Sequence, residues 1–258
     1  MMTDNPTGEV TLQYTDSGVA LISFFHPAQN SLPSALLEVL ARKIEQAGNN
    51  GQTRVIVLKS GGDRTFCAGA SFDELLQIKD KEAGARFFSG FANVINAMRK
   101  SPKIVVARVQ GKSVGGGVGL AAAADYCLAT EAAAIKLSEL AIGIGPFVIE
   151  PAVVRKIGLP AFSQLTLRAT DFQPAQWAKE KGLYNEVYAD INELDAALGA
   201  LGEKLASYNP AALAELKKIL WEGAIDWDEL LKRRAAVSGE LVLSDFTQQA
   251  LQDFLDKK

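Results

Sequence analysis

Apolar positions along this chain keep two rhythms. In the first, short runs alternate or are continuously apolar, the pattern of strands; in the second, apolar residues return every three or four positions, the pattern of one helix face. Residues 11–14 and 19–25 read as strands, and Asp16-Ser17-Gly18 between them predicts a β-hairpin. Leu36, Leu37, Leu40 and Ile44 predict a helix over 34–47, stopped by the Gly-Asn-Asn-Gly run at 48–51. Residues 54–59 (RVIVLK) and 103–109 (KIVVARV) read as buried strands. Helices are expected from about Phe72, over 83–100 and over 118–124, with further strands at 126–129, 134–137 and 185–187. From Ile191 onward the pattern is helical throughout: 194–207, 210–221, 227–243 and 246–255. Strands alternating with helices predict an α/β protein, with polar groups gathered at strand ends and helix N-termini. The helical last quarter is expected to form a layer on the core or against a neighbouring subunit.

Composition narrows the chemistry. Among 258 residues there are 27 Lys+Arg, 30 Asp+Glu, 1 His and 2 Cys, with a formal net charge of −3. One imidazole (His26) and two well-separated thiols (Cys67, Cys127) cannot assemble a zinc or iron–sulfur site. Catalysis must therefore draw on carboxylates, hydroxyls, Lys or the backbone, with no metal expected. No Lys/Arg stripe stands out, so a nucleic-acid partner is not expected. The longest apolar segment, 114–127, is Gly-rich and broken by Asp125, which argues against membrane insertion. Residues 1–10 show no basic stretch followed by an apolar one, so a cytoplasmic chain with free thiols is the expectation.

Two glycine patterns invite a nucleotide reading and fail it. Gly111-Lys112-Ser113 has the tail of a P-loop, but Val106 stands where its first Gly must be. A dinucleotide fingerprint begun at Gly115 requires Gly at 120, which is Leu120. What remains is a pair of similar constructions. Strand 54–59 leads to Phe66-Cys67-Ala68-Gly69-Ala70, and Ser71 and Glu74 have the spacing of a capping box that starts a helix. Strand 103–109 leads to Gly115-Gly116-Gly117 at a second helix N-terminus. Small residues at both places permit close packing, and they also expose backbone N–H groups. Two such groups converging on one point form an oxyanion hole.

These blocks, residues 63–70 and 109–126 together with Leu137-Ser138-Glu139-Leu140-Ala141-Ile142-Gly143, resemble the enoyl-CoA hydratase/isomerase (crotonase) superfamily in order and spacing. The resemblance implies a spiral core of ββα turns over residues 1–190 and a helical oligomerisation region over 191–258. It implies a homotrimer or a dimer of trimers, with coenzyme A present only as part of a thioester substrate. By resemblance, the thioester carbonyl sits between the N–H groups of Ala70 and Gly116. Ala68, Ala70 and Phe72 then contact coenzyme A, and Phe254 and Lys257 resemble tail residues that can reach the coenzyme A of a neighbouring subunit. Glu139 matches the second of the two family carboxylates, whereas the first is replaced by Gly119, and Ser71 stands where the family usually has Asp.

Glu139 borders apolar runs, so burial is expected to raise its pKa toward that of a general base; a salt-bridged strand-end Glu is the other reading. Moving a double bond needs one such group, whereas adding water usually needs two. A single Glu139 therefore favours enoyl-CoA isomerisation. Glu150 leaves a second reading open, since it is either a further acid at the site, giving hydration, or a helix-start acid before Pro151. The missing first carboxylate motivates a third reading, a non-catalytic binding protein, and decarboxylation on the same scaffold is not separable by sequence.

Overall fold

The structure, a computed structural model, describes residues 7–255, with side chains through Asp253. The hairpin forms as predicted. Strands β1 (Glu9–Tyr14) and β2 (Val19–Phe25) pair antiparallel, and Gly18 takes the positive φ of 88° that the turn requires. Strand β2 then pairs in parallel with β4 (Val55–Ser60), followed by β7 (Ile104–Val109), β9 (Tyr126–Thr130) and β11 (Glu186–Tyr188). Both faces of this sheet are covered, which is why β4 and β7 are almost continuously apolar.

The two-residue period of the strands divides the core. Ile56, Leu58, Val105 and Ala107 point to the face packed by α1 (Ser34–Asn49), α3 (Lys81–Lys100), α4 (Gly116–Ala123) and α5 (Glu150–Leu167). Val55, Val57, Ile104 and Val106 point the other way, onto Leu194 and Leu198 of α7 (Ile191–Ser207) and Leu213 of α8 (Pro210–Leu220). Helix α9 (Trp227–Leu241) lies on α3, and α10 (Asp245–Leu255) follows it.

Short strands follow the long ones. A second sheet, ordered β10 (Ile135–Lys136), β8 (Lys112–Val114) and β5 (Thr65–Cys67), stands beside a two-stranded pair of β3 (Ser31–Leu32) and β6 (Gly69–Ala70). Each turn thus runs long strand, short strand, helix. Of these, β10 falls within the strand expected at 134–137, whereas β3, β5, β6 and β8 are too short to show a period, and the sequence pattern did not announce them. Helix α5 also escapes it: Gly158, at φ 71°, and Pro160 break the helix in mid-course. Helix α6 (Ala175–Glu180) is a further short element before β11. Among the described residues, no helix is long and apolar enough to cross a membrane, and no group of three or more His, Cys, Asp or Glu is placed to hold a metal.

Candidate active site

The capping reading at Ser71 holds in one half. Ser71 Oγ accepts from the Glu74 N–H at 3.3 Å, starting the single-turn α2 (Phe72–Leu75). Glu74 does not reach back to Ser71; its Oε2 accepts from Ser34 N–H and Ser34 Oγ–H at 2.9 and 2.7 Å, tying α2 to the start of α1. The Ser71 N–H donates to Leu32 O at 3.0 Å. Successive amides of an extended chain point to opposite edges, so the Ala70 N–H is turned away from β3. Ser31 Oγ–H donates to Ala70 O at 2.8 Å and holds this peptide in place.

Helix α4 brings the second N–H. Gly115, at φ 53°, donates to Lys136 O at 2.9 Å, and its own carbonyl accepts from Val118 and Gly119. Gly116 and Gly117 lie in the first turn, where no intrahelical carbonyl precedes them. The glycines also set the packing distance. A Cβ at Gly117 would lie 2.3 Å from Cys67 O, and one at Gly69 would lie 3.2 Å from Val114 O and 3.8 Å from Gly116 N. Only this composition lets the N-terminus of α4, the positive end of its dipole, come against β5 and β6.

The two segments meet at a cavity of ≈ 160 Å³ that Ala68, Gly69, Ala70, Gly115, Gly116 and Glu139 line together. Its remaining walls are mostly apolar: Phe72 and Leu75, then Phe87, Phe88 and Phe91 of α3, then Ile142, Ile144 and the run 145–149. Glu139 opens a 3-10 turn (Glu139–Ile142) after β10. Its carboxyl lies over Gly115, where a Cβ would be 2.9 Å from Oε1. The residue as a whole is half-buried, but Oε2 is sealed from solvent and has no hydrogen-bond partner among the described residues. Burial pushes its pKa up to about 7, against a smaller opposing pull from its own backbone N–H. Among the described residues, Glu139 is the only ionisable side chain that lines the cavity.

Glu150 is elsewhere. It begins α5, and its Oε2 accepts from Arg234 Nη2 of α9 at 3.4 Å; it is not among the cavity residues. Ala68, Ala70 and Phe72 all line the cavity, whereas the Phe254 side chain and Lys257 lie outside the described residues. Gly119 faces Ile149, and a Cβ there would be 2.4 Å from Ile149 Cγ2. The space a side chain at position 119 would enter is thus filled by an aliphatic side chain.

The model of the enoyl-CoA hydratase/isomerase family matches residues 14–258. The chain belongs to that family. A short-chain-enoyl-CoA hydratase of Clostridium acetobutylicum is 27% identical over 243 residues, covering 93% of this chain and 92% of the relative. A peroxisomal Delta(3,5)-Delta(2,4)-dienoyl-CoA isomerase of Arabidopsis thaliana is 25% identical over 269 residues, covering 98% and 95%. The crystal structure of an enoyl-CoA hydratase from Mycobacterium avium superposes with a TM-score of 0.85 at 28% identity, covering 96% of each chain. The chain is therefore an enzyme of the crotonase superfamily with its fold, and its relatives carry both hydratase and isomerase names.

Complete burial pushes the Cys67 thiol up to about 12, a state that does not suit a nucleophile. His26 lies in a separate polar cleft with Asp63 and Arg64. Two features of the cavity had escaped the sequence reading. Ile149 carried no signal that it would occupy the space beside Gly119. Ser238 did carry one, since it interrupts the apolar stripe of Leu231 and Ala235 on α9 and Val242 at its C-cap.

Proposed function

We propose that this enzyme acts on acyl-CoA thioesters and shifts the double bond of an enoyl-CoA, with Glu139 carrying the proton between carbons. The thioester oxygen accepts from the Ala70 and Gly116 N–H groups, and these fixed donors stabilise the charge that develops when the α-carbon loses its proton. In a 3-enoyl-CoA, the Glu139 carboxylate takes a proton from C2, leaving a dienolate whose negative charge sits largely on the thioester oxygen. The protonated Glu139 then delivers that proton to C4, the double bond settles between C2 and C3, and the carboxylate is restored. A carboxyl with a pKa of about 7 suits both halves of this cycle, because neither protonation state is strongly preferred near neutrality.

The observation that carries the reading is that one ionisable side chain, Glu139, lines the cavity among the described residues. Hydration by Glu139 with Glu150 would need a second carboxylate at the cavity, and the engagement of Glu150 with Arg234 does not favour it. A binding protein without chemistry would have no use for a buried, unpartnered carboxyl, whose presence costs stability. Ala68, Ala70 and Phe72 are the proposed coenzyme A contacts. Residues 191–258 are the proposed oligomerisation region of a trimer or dimer of trimers, a reading supported by the exposure of Ile219, Ile225 and Phe246 there.

The test is incubation with 2-enoyl-CoA and 3-enoyl-CoA of several chain lengths, read by mass and by double-bond position. A moved double bond at unchanged mass is expected. A gain of one water as the main product would overturn the isomerase reading in favour of hydration.

A further inference from the structure

The cavity holds a polar group that the proposed proton transfer does not use. Leu231, Ala235 and Ser238 of α9, with Val242 that caps its C-terminus, form one buried stripe, each no more than 1% exposed. Ser238 of α9 lines the cavity, as do Phe87, Phe88 and Phe91 of α3, and neither helix carries Glu139 or the two N–H donors. Its hydroxyl makes no hydrogen bond within the described residues. A buried helical Ser commonly bonds back to its own helix, as Ser89 does with Ala85 O at 2.7 Å on α3. Ser238 does not.

Its position is also fixed. A Cβ at Gly84 would lie 2.6 Å from Gly239 Cα, and one at Gly239 would lie 2.4 Å from Ala85 N, so α3 and α9 cross in backbone contact next to Ser238. The backbone that carries Ser238 cannot shift without parting the two helices. The hydroxyl is not sealed but opens into a mostly apolar cavity, where a ligand oxygen that pairs it adds a hydrogen bond. No cation lines the cavity among the described residues, so a carboxylate on the acyl chain would arrive without a counter-charge. The matching group is a neutral oxygen.

Resting on the acyl-CoA reading above, we infer that Ser238 is a specificity residue that hydrogen-bonds a hydroxyl or keto oxygen on the acyl chain. The preferred thioesters then carry such an oxygen beyond the reacting carbons. Saturated esters test this without any turnover: pentanoyl-CoA is compared with its keto and hydroxy derivatives substituted beyond the β-carbon, by calorimetric titration of the full-length protein. The wild type is expected to bind the oxygenated esters about ten-fold more tightly, the value of one hydrogen bond. Ser238→Ala should bring the two classes within about two-fold of one another, and Ser238→Thr should keep the preference. Equal affinities in the wild type, a preference that survives in Ser238→Ala, or failure to bind any of these thioesters would overturn the inference. Enzyme that binds with the preference but shifts no double bond would instead refute the proton-transfer reading alone.

Discussion

Asp125, between α4 and β9, and Glu139, after β10, are both carboxylates withdrawn from water, and their surroundings differ in kind. Asp125 is saturated: its oxygens accept from Val105 N–H at 2.7 Å, Lys217 Nζ at 2.6 Å and Trp221 Nε1 at 2.7 Å. In this ion pair the side chains of Lys217 and Asp125 are only 4% and 2% exposed. It joins the inner strand β7 to α8, and so fastens the C-terminal helices to the sheet. Glu139 has Oε2 buried without a partner, glycine backbone beneath it and an apolar cavity beside it. A buried charge that is paired holds the fold, whereas a buried charge left unpaired is a liability, and the proposed proton transfer gives a reason to retain it.

That contrast can be broken at either end. The largest expected stability effect is at Asp125. Asp125→Ala leaves Lys217 and Trp221 without their acceptor and should cost about 3–5 kcal/mol in denaturant unfolding. A loss under about 1 kcal/mol would mean that the pair does not anchor α8.

Glu139→Gln should move stability the other way, and in a pH-dependent manner. The folded protein holds the Glu139 proton up to about 7, whereas the unfolded chain releases it near the ordinary value of 4.5. Between those values the folded state binds more protons, so wild-type stability falls as pH rises, by at most about 3 kcal/mol, and the whole cost is present above pH 7. The variant lacks this term. Its melting temperature should exceed that of the wild type at pH 8 and converge with it below pH 4.5. A variant less stable than the wild type at pH 8 would show that the carboxylate has partners after all.

The smallest effect is expected at Glu150, whose pair with Arg234 is partly exposed. Glu150→Gln should cost less than about 1 kcal/mol and change turnover by less than about three-fold. A loss of about a hundred-fold or more would bring back a two-carboxylate reaction.

Much of the frame was legible because its elements are long. Strands β2, β4 and β7 and helices α1, α3 and α7 bury enough regularly spaced apolar residues to declare their period, and they begin and end within about three residues of where the pattern put them. The short strands that carry Ala70 and Gly116 to one cavity show no period; what pointed to them was chemistry, the glycines and alanines at two strand-to-helix passages. Glu139 was legible as a candidate because it borders apolar runs. The placement of Glu150 was not, since its direction depends on Arg234 at the far end of the chain. Ile149 beside Gly119 was equally hidden, being a contact across distant segments that only the packed structure defines.

The central claim is that Glu139 alone moves the proton beside the thioester. Its most direct test is the rate at which the α-carbon of a bound acyl-CoA exchanges hydrogen with deuterated water, followed against pH in the wild type and in Glu139→Gln. In the wild type, exchange should rise with pH to half its maximum near pH 7. In the variant it should fall by about 10²–10⁴-fold and show no such inflection. Exchange in Glu139→Gln at the wild-type rate, with the same pH profile, would contradict that claim.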